Sequence, residues 1–502
     1  MSLSEQAETP THGTAERRRR RGLLLSLTIV LVVASVSLIA FFGWAEVYSR
    51  QFEPNAPEIT AFEIPRGVGL APVTVKFDLR DPGAGLDEVV VRTRQRGRTK
   101  EVLRQALEGK PAARVSIDFP GEKSDLEEGV VELEIRAFDR SFWSNASTAQ
   151  LSLKVDFRRP RVEVLSAQHN IRQGGSQLIL YRAIDEDLAL SGVKVGDALF
   201  PGYPARGIDR DFSEPTIFAA LFTVDNRLEA VPPMQLYAED SVGNTGGAAF
   251  YYRVAARSAR NTQVTLSDEF MRQTVASIVE QNLSALEEDS KARGQPQLFT
   301  SPRGSDERLI EQFALVNKRV RVLNDHAISR LLQGPRFERM WEGPIARPVG
   351  NTQVAYGDRV SYRFRDREIG TAISTGYEFG VRGGTEDVFA VADGVVTFSD
   401  GFGVPGRIIA LDHGMGLSSL YGSLDQAYVS RGETVRSGQR IGRVGATGLT
   451  RSPRLYFEMR VHGVPIAPEE WWEARWYHDH MTAKINEVKQ SLGMAVLRPI
   501  ER

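Results

Sequence analysis

The fold of this 502-residue chain turns on His413-Gly414-Met415-Gly416-Leu417-Ser418-Ser419-Leu420-Tyr421, Val429-Ser430-Arg431-Gly432-Glu433-Thr434-Val435 and Gly438-Gln439-Arg440-Ile441-Gly442-Arg443-Val444-Gly445-Ala446-Thr447-Gly448. Glycines at 432, 438, 442, 445 and 448 cut it into apolar runs only a few residues long. Runs that short suit strands, and turns that dense suit a compact all-β domain. Just upstream, Val388-Phe389-Ala390-Val391-Ala392-Asp393-Gly394-Val395-Val396 reads as strand, tight turn and strand, and Arg407 to Leu411 as one more strand. Downstream, Leu455-Tyr456-Phe457-Glu458-Met459-Arg460 and Gly463-Val464-Pro465-Ile466-Ala467-Pro468 close the β-rich region.

These motifs, in this order, resemble the LytM-type (lysostaphin-like) zinc metalloendopeptidases of the bacterial cell wall. Asp387 to Val396 is similar to the family's "V-A-a-a-D-G-V-V" stretch, His413 to Tyr421 to its "H-G-x-G-L-x-S-x-Y", and Val429 to Gly448 to its biotinyl-like glycine repeat. The resemblance covers about residues 340–475 and implies that fold. It also implies a chemistry. The family holds zinc with the His and Asp of a His-x-x-x-Asp motif and with the second His of a His-x-His motif. The first His of that pair, and another two residues after a Tyr, act on the water and the oxyanion. A catalytic zinc of this kind has three protein ligands and an open position, and it activates the water.

Carried over residue by residue, those positions fall on other side chains. The ligands become Ser374, Glu378 and Tyr456; the two further histidines become Arg454 and Ser423. Of these, only Glu378 is a good zinc ligand, and Arg454 is a permanent cation where a dication should sit. The expectation is therefore a degenerate domain with no zinc and no other cofactor. Tyr377, Glu378, Arg454 and Tyr456 are left as candidates for binding in the old groove, with an Arg454–Glu378 ion pair as the plainer reading. Other histidines offer no substitute. His413 matches a position that is not a ligand and reads as structural. His462 lies past the closing strand, and His478-Asp479-His480 lies on a terminal helix, where residues two apart diverge. His12, His169 and His326 read as surface residues.

N-terminal to this domain, residues 264–335 read as a helical hairpin. Met271, Val275, Ile278, Leu283 and Leu286 fall at helical spacing, as do Leu309, Phe313, Val316, Val320, Leu323, Ala327 and Leu331. Ser267 is the expected N-cap of the first helix, and Glu287 to Asp306 the polar stretch between the two. A regulatory lid over the C-terminal groove is one use for such a hairpin. Earlier still, 57–156 and 159–256 alternate apolar and polar residues, as in Val73, Val75, Phe77, Leu79 and in Val131, Leu133, Ile135, Ala137. They share the phrase Ala137-Phe138-Asp139…Asn145 and Ala238-Glu239-Asp240…Asn244. Two β-sandwiches are expected, similar to bacterial immunoglobulin-like modules; one larger β domain is the rival.

Leu23 to Ala45 carries no charge and follows the basic run Arg17 to Arg21. Residues 23–45 are long enough to span a bilayer, residues 1–22 form a cytoplasmic basic tail, and the positive-inside rule puts the bulk outside. Gln51 to Pro57 reads as a linker. The net charge of −1 gives no global attraction to nucleic acid, and the absence of cysteine removes thiolate metal sites. The fold class expected is mainly β: one transmembrane helix, two sandwiches, a helical hairpin, the all-β LytM-type domain, and a 476–502 helix and tail. The function expected is a single-pass inner-membrane protein facing the periplasm that binds peptidoglycan or regulates a cell-wall hydrolase. An active metalloendopeptidase with unusual ligands, and a structural or adhesion protein working through its sandwiches, are the alternatives.

Overall fold

The computed structural model describes residues 13–120, 125–295, 297–332, 334, 336–381 and 386–495. Expectations for residues 1–12, for Pro335 and for 496–502 lie outside that set. The chain forms two compact units: residues up to Arg158 with Ser241–Asn244, and Arg159–Asp240 with Thr245 onward.

The first unit opens with a helix, Gly13–Gln51. Its segment Ile29–Gln51 is apolar and long enough to cross a membrane, and none of it is buried. A seven-stranded sandwich follows. One sheet is ordered Glu58–Glu63, Val73–Arg80, Ala112–Phe119 and the other Arg98–Lys110, Leu86–Gln95, Gly129–Asp139, Ala146–Val155. Alternation builds the core: Val75, Phe77 and Leu79 of one sheet meet Val89, Val91, Val131, Leu133 and Ile135 of the other, all buried. The 51–57 segment is not a free linker. The Glu53 carboxylate accepts from Ala84 N, and Asn145 Nδ2 donates to Glu53 O at 2.8 Å.

The second unit opens with a sandwich of the same strand order. Arg161–Val164, Ser176–Ile184 and Ile217–Thr223 form one sheet with Tyr203–Pro204; Ala198–Pro201, Leu188–Val195, Met234–Asp240 and Thr245–Ala248 form the other. Numbering the seven main strands of each sandwich in chain order gives 1-2-5 over 4-3-6-7 in both. The repeat expected from the Asp…Asn phrase is a repeat of topology. His169, expected at the surface, is buried here: its ring bonds Ser166 Oγ at 3.0 Å and Tyr251 O at 3.2 Å, while His326 is exposed as expected.

The hairpin is present, with altered bounds. Residues 264–265 belong to a strand, Asn261–Thr265, which pairs in parallel with Arg359–Phe364. Ser267 caps the first arm, its Oγ accepting from Phe270 N at 3.2 Å, and Ser305 caps the second by the same bond to Arg308 N at 3.1 Å. The first arm runs to Ala292, into the stretch read as a connector. Each arm contains a π-helical turn, Met271–Val275 and Val316–Val320, where one extra residue is accommodated without breaking the helix.

The C-terminal domain is built on a ten-stranded sheet. Its main path runs Asn351–Val354, Tyr377–Gly380, Arg454–Val461, Leu417–Ala427, Gly406–Asp412, Gly394–Phe402, Thr434–Val435. The glycine repeat makes the short Thr434–Val435 and Arg440–Val444 strands, with Gly432, Gly438 and Gly448 all at positive φ. His413 is fully buried. Its Nδ1 lies 2.6 Å from Asp393 O and its Nε2 2.7 Å from Ser419 Oγ, and Tyr421 OH accepts from Val391 N at 2.9 Å. Burial lowers the His413 pKa. This corner is structural, as read. Two C-terminal helices then pack on the second sandwich: from Pro468–Trp472, Trp471 Nε1 donates to Ser176 Oγ at 2.9 Å, and from Ala483–Ser491, Lys484 Nζ donates to Gln177 Oε1 at 2.8 Å.

Candidate functional site

The groove takes shape where Tyr377–Gly380 pairs with Arg454–Val461, putting Glu378 opposite Tyr456. Side chains on a strand alternate between faces. On the Arg454–Val461 strand the even positions Arg454, Tyr456, Glu458 and Arg460 form the groove wall, and the odd positions Leu455, Phe457, Met459 and Val461 enter the core. The second hairpin arm supplies the opposite wall through Asn317, Arg321, Asp325 and Ile328. The space between holds about 330 Å³ and is also lined by Thr375, Glu378 and Ser423.

Arg454 Nη1 donates to the Glu378 carboxylate, and Arg454 Nη2 donates to Ser452 Oγ at 3.0 Å. The arginine side chain is 9% exposed and the glutamate 29%. Deeper in the groove, Glu458 is the hub. It accepts from Tyr456 OH, from Thr375 Oγ1 at 2.8 Å and from Arg460 Nε. Arg460 Nη1 in turn lies 2.8 Å from Asp325 Oδ1 on the hairpin arm and donates to Gly463 O at 2.9 Å; Arg227 Nη1 reaches the other oxygen of Asp325 at 2.7 Å.

The electrostatics follow from this chain of ions. Burial, then the neighbouring Glu458 charge, push the Tyr456 phenol well above its ordinary pKa, so it is a neutral donor at pH 7. Burial alone would raise Asp325, but Arg460 and Arg227 beside it hold its carboxyl below the usual range. Burial likewise opposes the Arg460 charge, and Glu458 with Asp325 more than offsets it, raising its pKa.

The positions singled out in the sequence divide. Glu378, Arg454, Tyr456 and Ser423 come together on one groove wall. Ser374 stands beside it, but its Oγ donates to Gly376 O at 2.8 Å. Tyr377 is a correction. It faces the other side of the sheet, where its OH donates to Glu469 Oε2 at 3.1 Å and its ring stacks on Phe379. Strand alternation is the reason: if Glu378 lines the groove, Tyr377 does not. Thr375, Glu458, Arg460, Asp325 and Arg227 were not anticipated. The same alternation would have found Glu458 and Arg460, two and four residues past Tyr456. No local signal marks Asp325 or Arg227, which arrive from other elements.

This wall is poorly suited to a zinc ion. The one carboxylate at a ligand position is already paired with a guanidinium, the phenol keeps its proton, and the serine hydroxyl is turned into its own turn. His478 and His480 supply nothing to it: His480 Nδ1 lies 2.9 Å from Gln177 Nε2, and its ring stacks on Trp476.

Residues 372–468 match Peptidase family M23. The C-terminal domain is an M23 peptidase domain. Over 140 residues the chain is 36% identical to the murein hydrolase activator EnvC of Escherichia coli, covering 28% of this chain and 30% of that protein. Over 96 residues it is 38% identical to the DD-carboxypeptidase/endopeptidase Mpg of Neisseria meningitidis, covering 19% and 22%. The chain thus spans under a third of the length of these relatives. Among solved structures, a peptidase M23 from Pseudomonas aeruginosa aligns over 60% of this chain and 94% of that one at 16% identity, with a TM-score of 0.32. The catalytic domain of lysostaphin from Staphylococcus simulans aligns over 24% and 92% at 23% identity, with a TM-score of 0.21.

Proposed function

We propose that this M23 domain binds rather than cuts. The chain is a single-span envelope protein whose periplasmic groove, without zinc or any other cofactor, recognises peptidoglycan or a cell-wall hydrolase and regulates the hydrolase. The Arg454–Glu378 pair carries the reading, because it puts a fork of donors and a carboxylate where the family's chemistry needs an open metal position. The murein hydrolase activator among the relatives supports a regulatory role. The assignments are 23–45 as the anchor, 57–156 and 159–256 as immunoglobulin-like spacers, 264–335 as the hairpin, 340–475 as the binding domain and 476–502 as its closing helix and tail. The second arm, which walls the groove from Asn317 to Ile328, is the lid that a partner displaces.

Three measurements test this reading. Arg454→Ala lowers capture of purified peptidoglycan or of a periplasmic hydrolase by about tenfold, the effect of one anchor residue, with an unchanged circular-dichroism spectrum. Undiminished capture overturns groove recognition. Elemental analysis finds less than stoichiometric zinc, and a chelator leaves Tm unchanged; one tightly held zinc per chain overturns the metal-free reading. A reporter active only in the periplasm, fused after Arg502, is active; a silent reporter overturns the topology.

A further inference from the structure

An aromatic ladder leaves the top of the apolar helix and ends on the first sandwich. Trp44 stacks on Tyr48 at 5.2 Å between centroids, Tyr48 meets Phe52 at 4.5 Å, Phe52 meets Phe142 at 5.5 Å, and Phe142 meets Trp143 at 5.2 Å. The last two rungs belong to the loop between Gly129–Asp139 and Ala146–Val155. Phe142 is 65% exposed and Trp143 62%. A lone exposed aromatic needs no explanation. An adjacent pair at a loop tip, continuous with a bilayer-length helix, does.

The join is rigid. Phe142 N donates to Gln51 O at 2.7 Å, and Asn145 Nδ2 donates to Glu53 O at 2.8 Å and Asn55 O at 3.2 Å. Asp139 clamps the loop, accepting from Ser141 N at 3.2 Å and from Asn145 N at 2.8 Å. The tip therefore stands at the height of Gln51 along the helix. Leu23 to Ala45 rises about 35 Å, enough for a hydrocarbon core of about 30 Å. Charge returns at Glu46, paired with Arg50 at 2.8 Å. From Ala45 to Gln51 the helix climbs about 9 Å, slightly more than a headgroup layer of roughly 5–7 Å. A tryptophan or phenylalanine side chain is long enough to reach back across the difference.

We propose that Phe142 and Trp143 seat the first sandwich on the bilayer, their side chains entering the headgroup layer beside the emerging helix. Trp44 and Tyr48 occupy the same layer from the helix side, where amphipathic aromatic rings are favoured. The seat fixes the tilt of the sandwich on the membrane. It rests on the anchor reading above.

Full-length protein in vesicles of phosphatidylcholine and phosphatidylglycerol, brominated near the top of the acyl chains, tests both. The chain has six tryptophans, so each contribution is read by difference. Wild type minus Trp143→Phe isolates Trp143, and wild type minus Trp44→Phe isolates Trp44; both replacements keep an aromatic ring. Loss of most of the Trp143 signal, alongside loss of the Trp44 signal, is the expected result. Quenching of Trp44 with Trp143 untouched overturns the seat and leaves the anchor standing; a protein partner for the tip would give that result, since the vesicles hold only this chain. If neither is quenched, the anchor and the seat fall together.

Discussion

The His413 corner and the Arg454 groove are parts of one sheet, and both bury polar side chains. The corner does so with neutral groups. His413, Ser419 and Tyr421 satisfy one another and two backbone groups, and burial keeps the imidazole uncharged at neutral pH. The groove does so with ions: Glu458 and Arg460 on the sheet, Asp325 on the hairpin arm and Arg227 in a loop of the second sandwich alternate in sign. A neutral network costs little to bury once its bonds are made. An ionic one must repay the desolvation of every member, and it leaves a stranded charge if one is removed. The one is scaffold and the other is surface. The corner holds strands in register, whereas the groove holds charges poised beside a cavity.

The largest effect that could break this contrast comes from Arg460. Arg460→Ala strips its guanidinium from the fully buried Glu458 and leaves Asp325 with Arg227 alone, and is expected to cost about 3–5 kcal/mol of stability. Chemical denaturation of the detergent-solubilised chain measures it, and adding Glu458→Gln restores part of the loss. A cost no greater than that of an exposed pair would mean the groove ions are solvated and the contrast is empty. Next comes His413→Ala, which leaves Asp393 O without its imidazole donor and Ser419 Oγ with Tyr421 OH alone; about 1–3 kcal/mol is expected for the buried unsatisfied carbonyl. Smaller still is Arg454→Ala. Glu378 is partly exposed and can be hydrated, so about 1 kcal/mol is expected, well below the figure for a fully buried pair. A Glu378→Gln addition should remove even that.

Acid sharpens the comparison. The folded pKa of His413 lies below its unfolded value of about 6.5. The unfolded chain therefore binds more protons as the pH falls through that value. The stability of the corner is complete above about 6.5 and is lost as the pH drops towards the folded pKa. Asp325 behaves in the same sense in a lower window: its pKa is depressed, so its contribution is complete above the ordinary carboxylate value and is lost only as the pH falls below it. Between those limits, of the two, only the corner should weaken. Stability measured from pH 7 to pH 4.5 should fall less steeply in His413→Gln than in the wild type, and Asp325→Asn should leave the slope as it was.

Much of this architecture was legible in the chain. Glycine spacing gave the C-terminal strands, three-and-four spacing gave the hairpin arms, and alternation gave the sandwiches. What escaped has identifiable causes. Periodicity does not reveal a π-helical turn, because one inserted residue in the 316–320 segment shifts the apolar stripe without breaking it. His169 was misplaced because a lone histidine in a polar run carries no sign of the Ser166 hydroxyl and Tyr251 carbonyl that bury it. In the groove, motif positions located Glu378, Arg454 and Tyr456, and strand parity would have rejected Tyr377 and added Glu458 and Arg460. Asp325 needed tertiary structure, since the helix that brings it is more than a hundred residues away from Arg460.

The parallel pairing of Asn261–Thr265 with Arg359–Phe364 has a mechanical consequence for the hairpin. At the far end, Arg336 N donates to Asp412 Oδ2 at 3.1 Å and Met340 N to His413 O at 2.8 Å. The hairpin is therefore a flap tied at both ends to the C-terminal domain, one end through a three-stranded sheet and the other through the ten-stranded one. Lifting it off the groove exposes the ion wall but releases no chain, so reclosing pays almost none of the loop-closure entropy that a free arm would face. In the lid role proposed above, such a flap would fall back into the same crease each time, and whatever lifted it would have to keep holding it up.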